Sequence, residues 1–345
     1  MGQVFQPANA LRGQVENLPH ESRVTLDATI RIVRYGKWKP NAENRRMTML
    51  TTEARNPASE QIDTLTPLEI VRLMNAEDAT VAEAVGREAD SIARAIEVIA
   101  DRLSRGGRLV YLGAGTSGRL GVLDATECPP TFSTPPELVV GLIAGGPAAI
   151  TRAVEGAEDH PEFAVEDLRR INLTSADVLV GIATSGRTPY VIGGLDAARR
   201  IGAFAIGLAC NDGSALAAVA DLMIAPIVGP EVISGSTRLK AGTATKMVLN
   251  MLTTGAMVRL GKTYGNLMVD LKATNAKLLL RTCRIVASLT GLTEEQAEDQ
   301  LAKCDGELKT AVVAHQQGVS PEAARQLLTT AHGQLRAALI PAESR

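Results

Sequence analysis

The tetrapeptide Thr-Ser-Gly-Arg occurs twice, at 116–119 within GAGTSGR and at 184–187 within ATSGR, each time just after a run of apolar residues. Hydroxyls, a glycine and a cation, set where a strand hands over to a helix, are what an anion cradle needs. Glycines let backbone N–H groups turn inward and approach an oxyanion closely. The helix that follows supplies unpaired N–H groups and the positive end of its dipole. Threonine and serine hydroxyls add donors without filling the space. Two such loops from neighbouring strands would grip one phosphate from two sides. Thr116 and Ser117 of the first loop, with Thr184, Ser185, Gly186, Arg187 and Thr188 of the second, are the candidate ligand-binding set. The alternative is plain turn chemistry, and the recurrence of the tetrapeptide after a second strand argues against it. Arg187 either pairs with phosphate charge or is a solvated side chain in a helix's first turn. Lys240, in TRLKAG, is either a further contact or a packing residue at a helix start.

Larger phosphate ligands fit less well. No Gly-Lys-Ser/Thr follows either loop, so neither is a Walker A sequence. GAGTSG matches G-x-G-x-x-G at Gly113, Gly115 and Gly118, but that pattern is weak alone. The second copy, GIATSG, breaks it, and no suitably placed acidic residue ends a following strand. A small phosphorylated ligand is the better expectation. His20, His160, His315 and His332 have no metal-ligand spacing, although His160 stands beside Asp159; no metal is expected.

The elements that position these loops read as alternating strands and helices. TPLE at 66–69 is a capping box, with Thr66 as N-cap, Pro67 at the first helical position and Glu69 reaching back. Amphipathic helices follow as far as Gly106-Gly107. Buried strands are expected at 108–115, 137–146, 177–186, 203–210 and 221–228, with helices at 117–127, at about 147–155, and from Thr188-Pro189. Such alternation implies right-handed crossovers and a mainly parallel sheet covered on both faces, an α/β fold. TKMVLNMLTTGAMV, inside an expected helix at about 241–260, is apolar nearly all round and must be buried. The tail reads as three short polar helices punctuated by Thr293, Ser320 and Gly333.

Composition bounds the rest. Of the 345 residues, 45% are hydrophobic and 21% charged, which suits a globular protein with a sizeable core. Aromatics are 3% against 31 glycines, so the core is aliphatic, as in buried parallel sheets. A net charge of −2, with dispersed Lys and Arg, leaves no basic field for nucleic acid. Cys128, Cys210, Cys283 and Cys304 are far apart and read as reduced, mostly buried thiols of a cytosolic protein. No apolar run reaches membrane-span length, and the start lacks a signal peptide's pattern. Residues 1–46 are polar and basic and read as a poorly ordered extension, although VTLDATIRIVRYG has strand character. The expected organisation is this extension, a domain over 47–290 with flanking helices, and a small helical domain over 291–345.

The stretches YLGAGTSGRLGVLDATECPPTF, GLIAGG, AVEGAED, GIATSGRTPYVIGGL, GSTRLKAGTATKMVLNMLTTGAMVRLGKTYGNLMVD and TNAKL together resemble the N-acetylmuramic acid 6-phosphate etherase family. The resemblance spans about residues 49–340; CNDGS at 210–214, where the family pattern has Cys-Asn-Pro, departs from it. It implies a sugar isomerase (SIS) domain with N-terminal helices and a helical C-terminal appendage, working in the cytoplasm as a homodimer. The implied partner is a phosphorylated amino sugar, whose lactyl ether is cleaved to N-acetylglucosamine 6-phosphate and D-lactate. An ether β to an aldehyde can leave by elimination: a base takes the C2 proton, an acid protonates the departing oxygen, and water adds back. Two carboxyl groups in opposite protonation states suffice, with no metal or organic cofactor.

The family pattern carries two glutamates over to Glu127 in ECPP and Glu158 in EGAED. Glu127 lies near the end of a helix that Pro129-Pro130 are expected to stop. The negative helix end, with burial behind the first loop, would favour the neutral acid there, leaving Glu158 as the base. The plainer readings are a solvated helix-end residue for Glu127 and a surface acidic trio of Glu155, Glu158 and Asp159. Two other functions share the phosphate loops: an aldose–ketose isomerase of the SIS class, and a non-catalytic sugar-phosphate sensor.

Overall fold

The computed structural model describes residues 50–271 and 276–340; the expectations for residues 1–46 lie outside them. After three short 3-10 turns come α1 (Pro67–Asp78), α2 (Val81–Gly86) and α3 (Ala89–Ser104). The capping box at α1 forms in full: the Thr66 hydroxyl accepts from the Glu69 N–H, and the Thr66 N–H donates to the Glu69 carboxylate at 2.8 Å. Then β1 (Leu109–Gly113), α4 (Gly115–Phe132), β2 (Val139–Ile143), α5 (Ala148–Thr151), α6 (Pro161–Arg170), β3 (Val178–Ile182), α7 (Pro189–Ile201), β4 (Phe204–Leu208) and β5 (Leu222–Ile224) alternate. All five expected strands are present, and all pair in parallel in the order β2-β1-β3-β4-β5.

Both sheet faces are dry, and the strands divide their side chains between them with period two. On β1, Leu109 and Tyr111 face a core built with α3 and with α8 (Lys240–Arg259), including Ile99, Val248 and Leu252. Val110 and Leu112 face the opposite core, with Leu168 of α6 and Leu195 of α7. The long helix α8 is largely buried, as its all-round apolar sequence requires, with Met251 and Val258 among the few exposed apolar positions.

Two helices differ from expectation, as does the tail, which holds four short helices over 294–338 instead of three. α4 does not stop at Pro129 and Pro130 but runs through both to Phe132, where Ser133 ends it with a left-handed φ of 51°. Proline's fixed φ is helical, and near a helix end the missing N–H groups orphan only the carbonyls four residues back. The Ser133 N–H still reaches the Pro129 carbonyl at 3.0 Å and holds the last turn. The helix expected at about 147–155 is only Ala148–Thr151; Arg152 is extended, Gly156 is left-handed, and a 3-10 turn, Ala157–Asp159, follows.

A two-residue-stranded hairpin, β6 (Thr263–Tyr264) and β7 (Leu267–Met268), leads into α9 (Ala276–Thr290), α10 (Glu294–Lys303), α11 (Leu308–Gln317), α12 (Pro321–Thr330) and α13 (Leu335–Ala338). These helices share a third core, including Val269, Val286, Leu301, Val312 and Leu335. Thr293 and Ser320 cap α10 and α12 through their hydroxyls. Among the described residues no helix is long and apolar enough to cross a membrane.

Candidate active site

The strand order has a direct consequence for the two Thr-Ser-Gly-Arg loops. From β1 the chain steps to β2 on one side, and from β3 it steps to β4 on the other, so the sheet's topological switch point lies between β1 and β3. Ligands of open α/β sheets bind outside the carboxyl ends of the strands at such a point. The two loops are the turns that leave β1 and β3, side by side. Their hydroxyls meet: Ser117 Oγ and Thr184 Oγ1 are 3.2 Å apart, with 9% and 8% of each residue exposed.

Each loop is shaped by a glycine that nothing else could replace. Gly118, one turn into α4, lies against the end of β1; a Cβ there would stand 2.6 Å from Ile143 Cγ1 and 2.7 Å from the Gly113 carbonyl oxygen. In the second loop, Gly186 has φ +70°, and a Cβ would collide with that of Ser214. Its N–H closes the turn on the Ala183 carbonyl at 2.7 Å. Ser185 is half-buried and its hydroxyl accepts from the Arg187 N–H at 3.3 Å. Thr188 precedes α7 as its N-cap, without a side-chain capping bond. Thr116 is half-buried, its methyl 3.9 Å from where a Cβ on Gly242 in the first turn of α8 would lie.

The two arginines of the repeat have separate fates. Arg119 is spent on structure, donating to the carbonyls of Ile150 and Arg152 at 2.9 and 3.2 Å. Arg187 is exposed, and among the described residues its guanidinium has no hydrogen-bond or ion-pair partner. Lys240 is 3% exposed, and its ammonium is ion-paired with Glu77 Oε2 at 2.6 Å. Beside it the buried Glu231 carboxylate accepts the N–H groups of Lys240 and Ala241 at 2.9 and 3.0 Å, so a side chain already occupies the anion site at the start of α8. Burial pushes the Glu231 carboxyl above its usual range, against those two N–H groups and the nearby Lys240 charge.

Glu127 and Glu158 do not touch in the chain. Glu127 lies on α4, ten residues beyond Ser117 and so about 15 Å farther along the axis. It is exposed, against the expectation of burial behind the first loop, because the helix continues past it and turns that face outward. Leu123, 53% exposed, and Thr126 and Pro130, also exposed, share that face. One turn back, Asp124 anchors α4 from beneath. Its carboxylate accepts from Tyr111 Oη at 2.8 Å, Asn250 Nδ2 at 2.6 Å and Thr253 Oγ1 at 3.3 Å. Burial, with the Asp124 charge, holds the Tyr111 phenol protonated far above its usual range. Glu158 is exposed in the 3-10 turn that buried Ala157 fixes against α7. His160 does not pair with Asp159; its Nδ1 lies 3.0 Å from Glu162 and its ring stacks on Phe163.

Several stretches of the chain match known families. Residues 91–199 match the N-terminal SIS domain of glucokinase regulatory protein, residues 159–255 the SIS domain, and residues 265–319 the C-terminal lid domain of glucokinase regulatory protein. Over 269 residues the chain is 68% identical to an N-acetylmuramic acid 6-phosphate etherase of Rhodopirellula baltica, covering 78% of this chain and 89% of that protein. The chain belongs to the N-acetylmuramic acid 6-phosphate etherase family. An etherase of Streptomyces avermitilis is 58% identical over 293 residues, covering 85% of this chain and 94% of that protein. Within this etherase family member, the features not assigned a role from the sequence are Asn211, Ser214 and Glu231, of which Asn211 and Ser214 lie in CNDGS. The one signal near them was the departure from Cys-Asn-Pro at 210–214.

Proposed function

We propose that the chain cleaves the lactyl ether of N-acetylmuramic acid 6-phosphate by elimination and water addition, giving N-acetylglucosamine 6-phosphate and D-lactate in cell-wall sugar recycling. The observation that carries this reading is the meeting of Ser117 and Thr184 at the β1/β3 switch point in a chain of the etherase family. The loops hold the 6-phosphate: Thr116 and Ser117 from one side, Thr184, Ser185, Gly186 and Thr188 from the other, with the unpaired Arg187 supplying charge.

Opening the sugar puts the ether oxygen β to the C1 aldehyde and acidifies the C2 proton. Glu158 removes that proton; the C2–H and C3–O bonds break as the C2=C3 double bond forms, and Glu127 protonates the departing lactyl oxygen. Water then adds its oxygen to C3. Glu127, now a carboxylate, takes the water's proton, and Glu158 returns a proton to C2, so both groups end as they began.

The reading includes a homodimer. The exposed face of α4 that carries Leu123 and Glu127 is the surface a second copy would cover, supplying the burial that an acid at Glu127 needs. Sedimentation at activity-assay concentrations should give a dimer, and a fully active monomer would overturn this part. A cytoplasmic location goes with the same reading, as do four free and buried cysteines. Incubation with N-acetylmuramic acid 6-phosphate and an assay for D-lactate tests the whole. Conversion of a phosphosugar without lactate release would instead point to an isomerase.

A further inference from the structure

Asn211 is 2% exposed and uses its amide on both sides. Its Nδ2 donates to the Thr184 carbonyl at 2.9 Å and to Thr52 Oγ1 at 3.0 Å. Its Oδ1 accepts from Thr51 Oγ1 at 2.9 Å and from the Thr52 N–H at 3.3 Å. The amide orientation is dictated by the partners, because a carbonyl must face the NH2 group and an N–H must face the oxygen. The asparagine thus joins three distant pieces of chain: the turn after β4 that it occupies, the second loop at Thr184, and the segment before α1 at 51–52. That segment is held on its far side as well, where the Gly235 N–H donates to the Thr52 carbonyl at 3.1 Å.

Thr184 is the residue whose hydroxyl meets Ser117, and its carbonyl receives a second donor, the Cys210 N–H at 2.9 Å. Cys210 fixes the backbone of the loop from the sheet side. Asn211 fixes it from the side of the N-terminal segment and is itself held by two threonines. A loop that binds an anion through several hydroxyls and N–H groups loses affinity when its geometry relaxes, because each bond depends on the same backbone pose. The bonds here are neutral, buried or part-buried, and mutually supporting, so removing one leaves the others poorly set.

We propose that Asn211 is a positioning residue for substrate, and that Thr51 and Thr52, through it, belong to the sugar-phosphate site although they touch no part of it directly. The inference rests on the reading of the second loop as a phosphate loop. Asn211 does not act on the reacting carbons, so its loss raises KM and leaves kcat nearly unchanged.

The test measures steady-state lactate release and N-acetylglucosamine 6-phosphate binding in the full chain for Asn211→Ala, Thr51→Val, their double variant, and Ser185→Ala. Asn211→Ala is expected to raise KM about tenfold or more with kcat within about threefold. Thr51→Val, which removes a single bond at a half-buried position, is expected to raise KM about two- to fivefold with folding intact. The double variant should be no worse than Asn211→Ala alone, since both act through one amide. Parallel loss of kcat and KM effects in proportion to the folded fraction, additive effects in the double variant, or an unchanged KM in Thr51→Val would each overturn the proposal. Should Asn211→Ala not fold, Thr51→Val decides alone. Ser185→Ala separates the two levels: if it weakens binding while Thr51→Val does not, the loop stands and the tether falls. If Ser185→Ala binds as the parent does, the phosphate-loop reading itself is wrong.

Discussion

Ser117 Oγ and Thr184 Oγ1 approach to 3.2 Å across 67 residues of sequence, so the two halves of the repeated tetrapeptide share one small space. Neither hydroxyl is held by any other side chain among the described residues, which leaves both with hydrogen-bonding capacity for an anion. Removing one should therefore cost ligand more than fold.

Ser117→Ala is expected to weaken N-acetylglucosamine 6-phosphate binding by about 1.5–3 kcal/mol, the range for a hydrogen bond to a charged acceptor. That is on the order of 10- to 150-fold in Kd. Unfolding stability should change by about 1 kcal/mol or less, as for one neutral hydrogen bond. Titration calorimetry and urea unfolding measure the two quantities; an unchanged Kd removes the two-loop cradle.

Glu127 and Glu158 should fail differently when truncated. Glu158→Ala is expected to abolish both lactate release and solvent-deuterium exchange at C2 of N-acetylglucosamine 6-phosphate, because both need the base. Glu127→Ala should lose lactate release by roughly 10²–10⁴-fold, the usual worth of a general acid, yet keep C2 exchange. Exchange lost in Glu127→Ala and kept in Glu158→Ala would reverse the two roles, as followed by proton NMR in heavy water.

Gly186→Ala meets two obstacles at once, a φ of +70° and the side chain of Ser214. The backbone term alone costs about 1–2 kcal/mol. The collision adds to it, and the damage falls on the turn that presents Ser185 and Arg187. A loss of both thermal stability and phosphosugar binding is expected; differential scanning fluorimetry with and without ligand reads both.

Asp177 gives the fold an acid limit. Its buried carboxylate accepts from the Arg108 N–H at 2.9 Å, the Arg108 guanidinium at 2.8 Å and the Thr174 N–H at 2.8 Å. Burial pushes its carboxyl up, but the Arg108 guanidinium and the two N–H groups outweigh that and hold it below the usual range. A depressed folded-state value stabilises above the unfolded value of about 3.9 and ceases to do so as pH falls through the folded one. Asp177→Asn, which leaves the part-exposed Arg108 its carbonyl partners, should cost about 1.5–3 kcal/mol at pH 7, the range for hydrogen bonds to a charged group. The difference from the parent should shrink as pH drops below about 4; urea unfolding at pH 7, 5 and 3 checks this, and a pH-independent gap would contradict it.

Much of this molecule is written locally. The five strands, the TPLE cap at Thr66 and the burial of α8 follow from periodicity and capping chemistry, because each is decided by residues within a turn or a strand of one another. So does the recognition that GAGTSGR and ATSGR stand at strand-to-helix turns. Which strands lie side by side is decided by long-range packing, and only the tertiary structure shows that β1 neighbours β3, bringing Ser117 to Thr184. The course of α4 through Pro129 and Pro130 is another such decision. Local rules count only the two lost N–H groups, whereas the anchoring of Asp124 by Tyr111, Asn250 and Thr253 comes from the sheet and α8. Asn211 is the plainest case: CNDGS locates it but gives it no role, and its partners at Thr51, Thr52 and Thr184 become neighbours only when the chain has closed on itself.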